Sequence, residues 1–192
     1  MENFNKIIAL MAILLLATGC QIPVHNQNPS NEIPNFSVHE KIPGKYQISI
    51  IGAEKLSIDY MLEYPIKAIL KLDQKNVFTE DALNAFRQRY TDVILFEKNG
   101  DEGRIPLTLE VKQARIFATC GSISLFKGTC TAEGKVTLAL TMPGNSTPVT
   151  AIGEEVITSP PNSDILEPLH DVGPKALRRA QAKALAKLIS PP

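Results

Sequence analysis

The stretch IPLTLEVK, residues 105–112, alternates apolar and polar side chains more regularly than any other part of the chain. Its apolar residues occupy every second position, which is the period of a strand with one buried face. They are Ile105, Leu107, Leu109 and Val111. Pro106 cannot donate a ladder hydrogen bond, so we expect it at the strand start or on an edge. The sequence therefore predicts a half-buried strand here, and with it a sheet.

Alternation of the same kind on either side of this stretch predicts further strands. They lie at residues 46–50, 66–72, 92–96 and 136–140, and around 147–158. Residues 53–64 fit neither a helix nor a strand pattern. Asn99 and Gly100 form a dipeptide typical of tight hairpins, which predicts direct pairing of the strands on either side.

Two segments have helical periodicity. In the first, Thr79 is placed to cap a helix whose apolar face includes Phe86. The second is residues 174–189, where Pro174 would occupy the first helical position and no acid follows. An α+β fold follows from this order, because an antiparallel sheet with both helices packed on one face buries both apolar stripes.

The N-terminus has the organisation of an export signal. Lys6 precedes an apolar run, IIALMAILLLA, which is too short to span a bilayer but has the length of a signal-peptide core. The run leads into LATGC, residues 16–20. Small residues directly before a cysteine resemble the lipobox of bacterial lipoproteins, although Ala17 stands where that pattern prefers leucine.

This resemblance implies a lipid anchor on Cys20. Residues 1–19 would be the signal peptide, a diacylglyceryl group would join the thiol, and the new amine would be acylated, for example with palmitate. Two or more acyl chains give stable membrane attachment, whereas one gives only marginal binding. The alternative is an ordinary secretory signal followed by a chance cysteine.

The residues after Cys20 bear on location. In two-membrane bacteria an aspartate directly after the lipidated cysteine resembles an inner-membrane retention signal, and this chain has Gln21 there. The outer membrane, facing the periplasm, is therefore favoured over another bacterial membrane or the cell surface. Residues 21–44 are rich in Asn and Pro, which predicts a flexible tether of at most about 80 Å. A single periplasmic domain would then span residues 45–192.

Composition limits the partners. The chain has 20 basic and 20 acidic residues, so its net charge gives no reason to expect nucleic acid. With Cys20 lipidated, Cys120 and Cys130 remain. An even pair in an exported chain predicts a disulfide, with two free thiols as the alternative.

Motifs for catalysis are missing from the sequence. It has no GxSxG, HExxH, GxxxxGK or GxGxxG, and its three histidines are far apart. His170 and Asp171 are neighbours without an obvious nucleophile, so a loop or capping role is the simpler interpretation. The sequence therefore predicts no enzyme, no metal and no cofactor.

Two features are candidates for binding. The loop between the cysteines, GSISLFKGT, presents Leu125 and Phe126, which would either contact a partner or fold back onto the sheet. The second feature is the basic face of the last helix, which would meet an anionic partner or simply be solvated. Its cations are Lys175, Arg178, Arg179, Lys183 and Lys187.

Three functions fit these features. The first is a non-catalytic accessory in envelope assembly, transport or secretion that binds another envelope protein. The second is a carrier or chaperone for a small lipidic ligand, held in a cavity between sheet and helices. The third is a hydrolase whose site is assembled from scattered residues. The oligomeric state does not follow from the sequence.

Overall fold

The computed structural model describes Pro34, Phe36 and residues 40–62, 68–96, 103–124, 127–160, 163–164 and 166–190. Eight strands and two helices are numbered in chain order. The strands are β1 (Ile42–Ile51), β2 (Ser57–Leu62), β3 (Ala68–Asp73), β4 (Tyr90–Leu95), β5 (Ile105–Ser124), β6 (Lys127–Thr141), β7 (Val149–Thr158) and β8 (Ser163–Asp164). The helices are α1 (Lys75–Arg89) and α2 (Leu166–Ile189), with a short 3-10 turn at Ala53–Leu56. In this part of the chain, no helix is both long and apolar enough to cross a membrane.

The long strand β5 organises the sheet. The strand order is β3-β2-β5-β1-β4, and β6 joins β5 to β7 and β8. The first part of β5 pairs with β1, its later part meets β2 at Ala118, and most of its length pairs antiparallel with β6. The strand predicted at residues 105–112 is thus the beginning of a strand of 20 residues.

The hairpin predicted at Asn99 and Gly100 is wrong. Strand β1 lies between β4 and β5 and pairs parallel with both, so these two strands are not neighbours. The dipeptide itself lies outside the described residues. Local turn chemistry favoured a hairpin, but β1 occupies the place that β5 would need beside β4.

Both helices pack on one face of the sheet, as predicted. Helix α2 lies over β6 and β7, α1 lies over β4, and the two helices contact each other. The core between them and the sheet includes Ile48, Leu109, Leu138, Phe86 and Leu185, each completely buried. The α+β fold class is confirmed, with a sheet that is mixed because β1 is parallel to its neighbours.

Helix α1 begins one turn earlier than predicted. Its first residue is Lys75, whose backbone N–H donates to the Asp73 carboxylate at 3.0 Å. Thr79 does not cap the helix; its hydroxyl donates to the Lys75 carbonyl inside it. The helix therefore starts earlier, and Asp73 satisfies one of the N–H groups at its N-terminus.

Helix α2 also begins earlier, which places Pro174 in its interior. The extension includes Asp171, so the helix is not free of acids. Tertiary contacts hold this region: the Gln74 side-chain amide donates to the Pro174 carbonyl at 2.9 Å, and Gly173 lies against the Tyr60 hydroxyl. Burial raises the pKa of Tyr60 to about 12.

Glycines in the sheet let α2 lie directly on it. A methyl group at Gly153 of β7 would overlap the backbone oxygen of Ala180, and one at Gly134 of β6 would overlap the backbone of Ala176. Ala184, one turn after Ala180, is also completely buried. Backbone therefore meets backbone along this contact.

The domain extends into the segment predicted as a tether. Strand β1 begins at Ile42, and Phe36 is buried in the core with 6% of its surface exposed. A tether could therefore comprise only residues that precede Phe36. Apart from Pro34, those residues lie outside the described part of the chain.

The glycine contact predicts the effect of one methyl group. We expect Gly153→Ala to lower the free energy of unfolding by at least about 1–3 kcal/mol, because helix and strand must separate to admit it. The matched control is Gly121→Ala, since a methyl group there meets nothing within 4 Å. Urea unfolding followed by circular dichroism measures both. Equal stability of the two variants would contradict the close approach.

Candidate functional site

The two cysteines form a buried crosslink within the β5–β6 hairpin. The strands remain paired beyond them as far as Ser124 and Lys127, so most of the predicted loop between the cysteines is strand. Cys120 and Cys130 are directly opposed in the strand register and are joined by the predicted disulfide, with their Cα atoms 4.0 Å apart. Ser159, at the end of β7, donates its backbone N–H to the Cys130 carbonyl and accepts the Cys130 N–H on its hydroxyl. Both cysteines are at least 95% buried, which marks a structural disulfide rather than an exposed redox site.

Some predicted site residues cannot be placed. Leu125 and Phe126, at the hairpin tip, lie outside the described residues, as does Cys20. Their roles in partner contact and lipidation stay predictions.

Arg178 does not belong to a solvated basic face. Its Nε and Nη2 atoms donate to the two carboxylate oxygens of Asp81 at 2.9 and 3.0 Å, and both residues are buried. This bidentate pair joins α2 to α1. The guanidinium is therefore committed to the interior and is not available to a partner.

The other four cations of this helix also have contacts within the protein. Lys175 pairs with Asp171 at 2.7 Å on the same helix, and Arg179 lies 3.7 Å from the carboxylate of Glu155 on β7. Lys183 pairs with the Glu155 carboxylate as well. The predicted basic patch is therefore largely balanced by nearby acids, although these side chains remain partly exposed.

Lys183 and Lys187 also cover the edge of β7. Among the described strands β7 pairs only with β6, which leaves one side of it without a partner strand. Lys183 donates to the Glu154 carbonyl at 3.2 Å, and Lys187 donates to the Ile152 carbonyl at 2.7 Å. Residues one helical turn apart thus reach alternate carbonyls of the strand, which point in one direction. These are the acceptors that an added strand would use.

No element among the described residues covers the sheet face opposite the helices, which we call the open face, and this face carries a row of apolar side chains. The row follows the strand register across β3, β2, β5, β6 and β7. Its position on β6 is occupied by a charged residue, Glu133. This apolar row consists of Ile69, Met61, Phe117 and Val156. Phe117 and Val156 are 62% and 60% exposed, the largest values among the exposed large apolar residues described.

A charged row lies next to the apolar row, two residues along each strand. It crosses the same strands and β6, with the parallel β2–β5 register continued three residues back from the Leu62–Ala118 pair. Its members are Lys71, Asp59, Arg115, Lys135 and Glu154. Lys135 forms an ion pair with Glu154. The hydrogen bond from Lys135, together with its charge, lowers the pKa of Glu154, so this carboxylate is ionised at neutral pH.

The open face is suited to contact with a macromolecule. Single exposed apolar side chains are ordinary, but a row that crosses the sheet beside ordered charges marks a candidate interface. The described residues contain no group of three His, Cys, Asp or Glu side chains that could hold a metal ion. This face was not predicted, because residues 113–124 were not recognised as strand. The available signal was the position of Phe117, whose parity is opposite to that of the buried Ala118 and Cys120.

Comparisons with known proteins give only distant likenesses. No family model matches the chain, and no curated protein matches it. Among solved structures, it is similar to a Xanthomonas campestris protein of family DUF330, with a TM-score of 0.42 and 12% identity over 84% of this chain and 86% of that one. A PelC dodecamer from Paraburkholderia phytofirmans gives 0.30 and 16% over 77% and 95%. A Caulobacter crescentus protein described as a candidate lipoprotein gives 0.29 and 15% over 71% and 85%. Likenesses at this level assign neither a family nor a function to the chain.

The edge contacts predict a defined self-association defect. Replacing both Lys183 and Lys187 by Met should expose the Ile152 and Glu154 carbonyls and allow strand addition at β7, giving large β-rich assemblies. Light scattering and thioflavin T fluorescence would detect them. A suitable control is Lys75→Met with Lys175→Met, which removes the same charge from one exposed and one half-buried helical position away from β7. Equal behaviour of the two double variants would show that the lysines do not guard the edge.

Proposed function

We propose that this protein is a membrane-anchored lipoprotein, on the outer membrane and facing the periplasm, that acts as a non-catalytic accessory in envelope assembly, transport or secretion. It would do so by binding protein through its open sheet face. The observation that carries this proposal is the apolar row, whose central residue Phe117 is 62% exposed. An aromatic side chain in such a position is a typical anchor of protein–protein interfaces.

The cysteines support export as part of this proposal. Disulfides persist in oxidising compartments such as the periplasm and are rare in the cytosol. Cys120 and Cys130 form a buried disulfide, and Cys20 closes the signal-like segment at the N-terminus. One lipidated cysteine and one structural pair account for all three cysteines of the chain.

The close contact of α2 with the sheet bears on the carrier hypothesis. A lipidic ligand between sheet and helices would need a cavity there. At Gly134 and Gly153 the α2 backbone leaves no room for even a methyl group. This contact favours binding on the open face over binding beneath α2.

The anchor can be tested by itself. Cys20→Ser should block lipidation and leave unprocessed or mislocalised precursor, because the acyl chains hold the mature protein on the membrane. Mass spectrometry of the mature N-terminus and membrane fractionation measure this. A mature wild-type chain that begins at another residue, or at an unmodified Cys20, would overturn the lipoprotein assignment.

The open face can be tested by crosslinking in cells. A photoreactive phenylalanine derivative at Phe117 should crosslink to a defined envelope protein, because this ring would lie inside the interface. The control places the same derivative at Asn84, which is exposed on α1 at the helical side of the domain. Mass spectrometry identifies the products. Equal products from both positions, or none from Phe117, would contradict binding through this face.

A further inference from the structure

The charged row of the open face is self-complementary. In the order β3, β2, β5, β6 and β7, its charges are positive, negative, positive, positive and negative. Read in the opposite direction, this order becomes negative, positive, positive, negative and positive. When the row faces its own reverse, opposite signs meet at four of the five places and like signs meet only at the centre, Arg115.

We infer that the open face binds a second copy of this chain, face to face, about a two-fold axis that runs along β5. Rotation about this axis reverses the order of the strands in the second copy. It leaves the residues of one row at the same position along the strand direction. Lys71 then faces Glu154 of the second copy, and Asp59 faces Lys135 of the second copy. The inference rests on the proposed function, because it names the partner of the same face.

The apolar row fits the same axis. Phe117 meets Phe117 of the second copy at the centre, and Ile69 faces Val156 of the second copy. Stacked sheets lie about 10 Å apart, a separation that side chains from both faces fill. Two contacts are unfavourable. Met61 faces Glu133 of the second copy, and Arg115 faces Arg115 of the second copy, beside two aromatic rings that can accept a cation on their faces.

The size of the face predicts weak association in solution. Five strands at about 4.8 Å spacing give a contact near the lower end of specific interfaces, for which micromolar dissociation constants are common. Attachment of both copies to one membrane raises their effective concentration. Association would therefore be substantial on the membrane even where the soluble affinity is low.

Two single charge reversals test whether the open faces of two copies contact each other. Lys71 and Glu154 lie four strands apart in one copy, about 19 Å, beyond the screening length of about 8 Å at physiological salt. Lys71→Glu sets two acids against each other across the axis, and Glu154→Lys sets two lysines against each other. A mixture of the two single variants restores opposite signs at both places. Such a restoration arises only between copies.

The experiment is sedimentation equilibrium of the mature chain as purified from cells, in density-matched detergent. The wild type should show a monomer–dimer equilibrium, and each single variant should raise the dissociation constant about tenfold. An equimolar mixture should return to within about twofold of the wild type. The control Lys75→Glu makes the same charge change on α1, away from the face, and should dimerise as the wild type does.

The outcomes separate this inference from the proposed function. A monomeric wild type, or a mixture that stays as weak as the single variants, overturns the second copy as partner. If Phe117 then crosslinks in cells to a different envelope protein, the proposed function stands without the dimer. If the purified chain dimerises but is neither lipidated nor crosslinked in cells, the dimer stands and the envelope role fails.

Discussion

The direct contact of helix α2 with the sheet is the constraint on which the other contacts depend. Gly134 and Gly153 have no side chain where the helix crosses them, and the helix presents Ala176 and Ala180 in return. This contact fixes the height and the rotation of α2. With the helix so placed, Arg178 reaches Asp81 on α1, and the lysines of its outer side reach the carbonyls of β7. A bulkier contact would lift the helix and weaken the buried ion pair and the edge contacts together.

The same constraint separates the two faces of the sheet. The helical side is filled by the core and by a buried ion pair, whose disruption would leave an uncompensated charge. The open side carries the apolar row and, two residues along each strand, the charged row. The disulfide lies in the buried side of the sheet and joins β5 to β6 at Cys120 and Cys130. Phe117, at the centre of the apolar row, is therefore carried by a strand that is joined to β6 both by hydrogen bonds and by a covalent bond.

Several features could be predicted from the sequence because their causes are local. Alternation at residues 105–112 identified the start of β5, and the cysteine pair was matched correctly. The failures arose where distant residues compete with local signals. Gln74 and Tyr60 contact the helix around Pro174 and Gly173, so that proline is accommodated inside α2 instead of marking its start.

The candidate face shows the same limit. Its apolar row takes one residue from each of four strands, so no window of sequence contains it. In the sequence, Arg178 is one of several cations on a basic helix. Its buried partner, Asp81, lies 97 residues earlier, so the pair is visible only in the structure. One signal was available: lysines at i and i+4 match the spacing of alternate strand carbonyls, which favours a helix lying along a strand edge.

The central place of β1 has a consequence for the order of folding. Its partners come much later in the chain: Tyr46 pairs with Val93 on one side and with Ile105 on the other. If the polypeptide crosses a membrane N-terminus first, β1 emerges long before β4 and β5. Ile48 would then stay exposed until the rest of the core has formed. The sheet cannot grow by adding strands in chain order, and closure of these long loops should limit the folding rate. During that interval such a chain would expose an unpaired apolar strand, a feature that makes partly folded chains prone to aggregate.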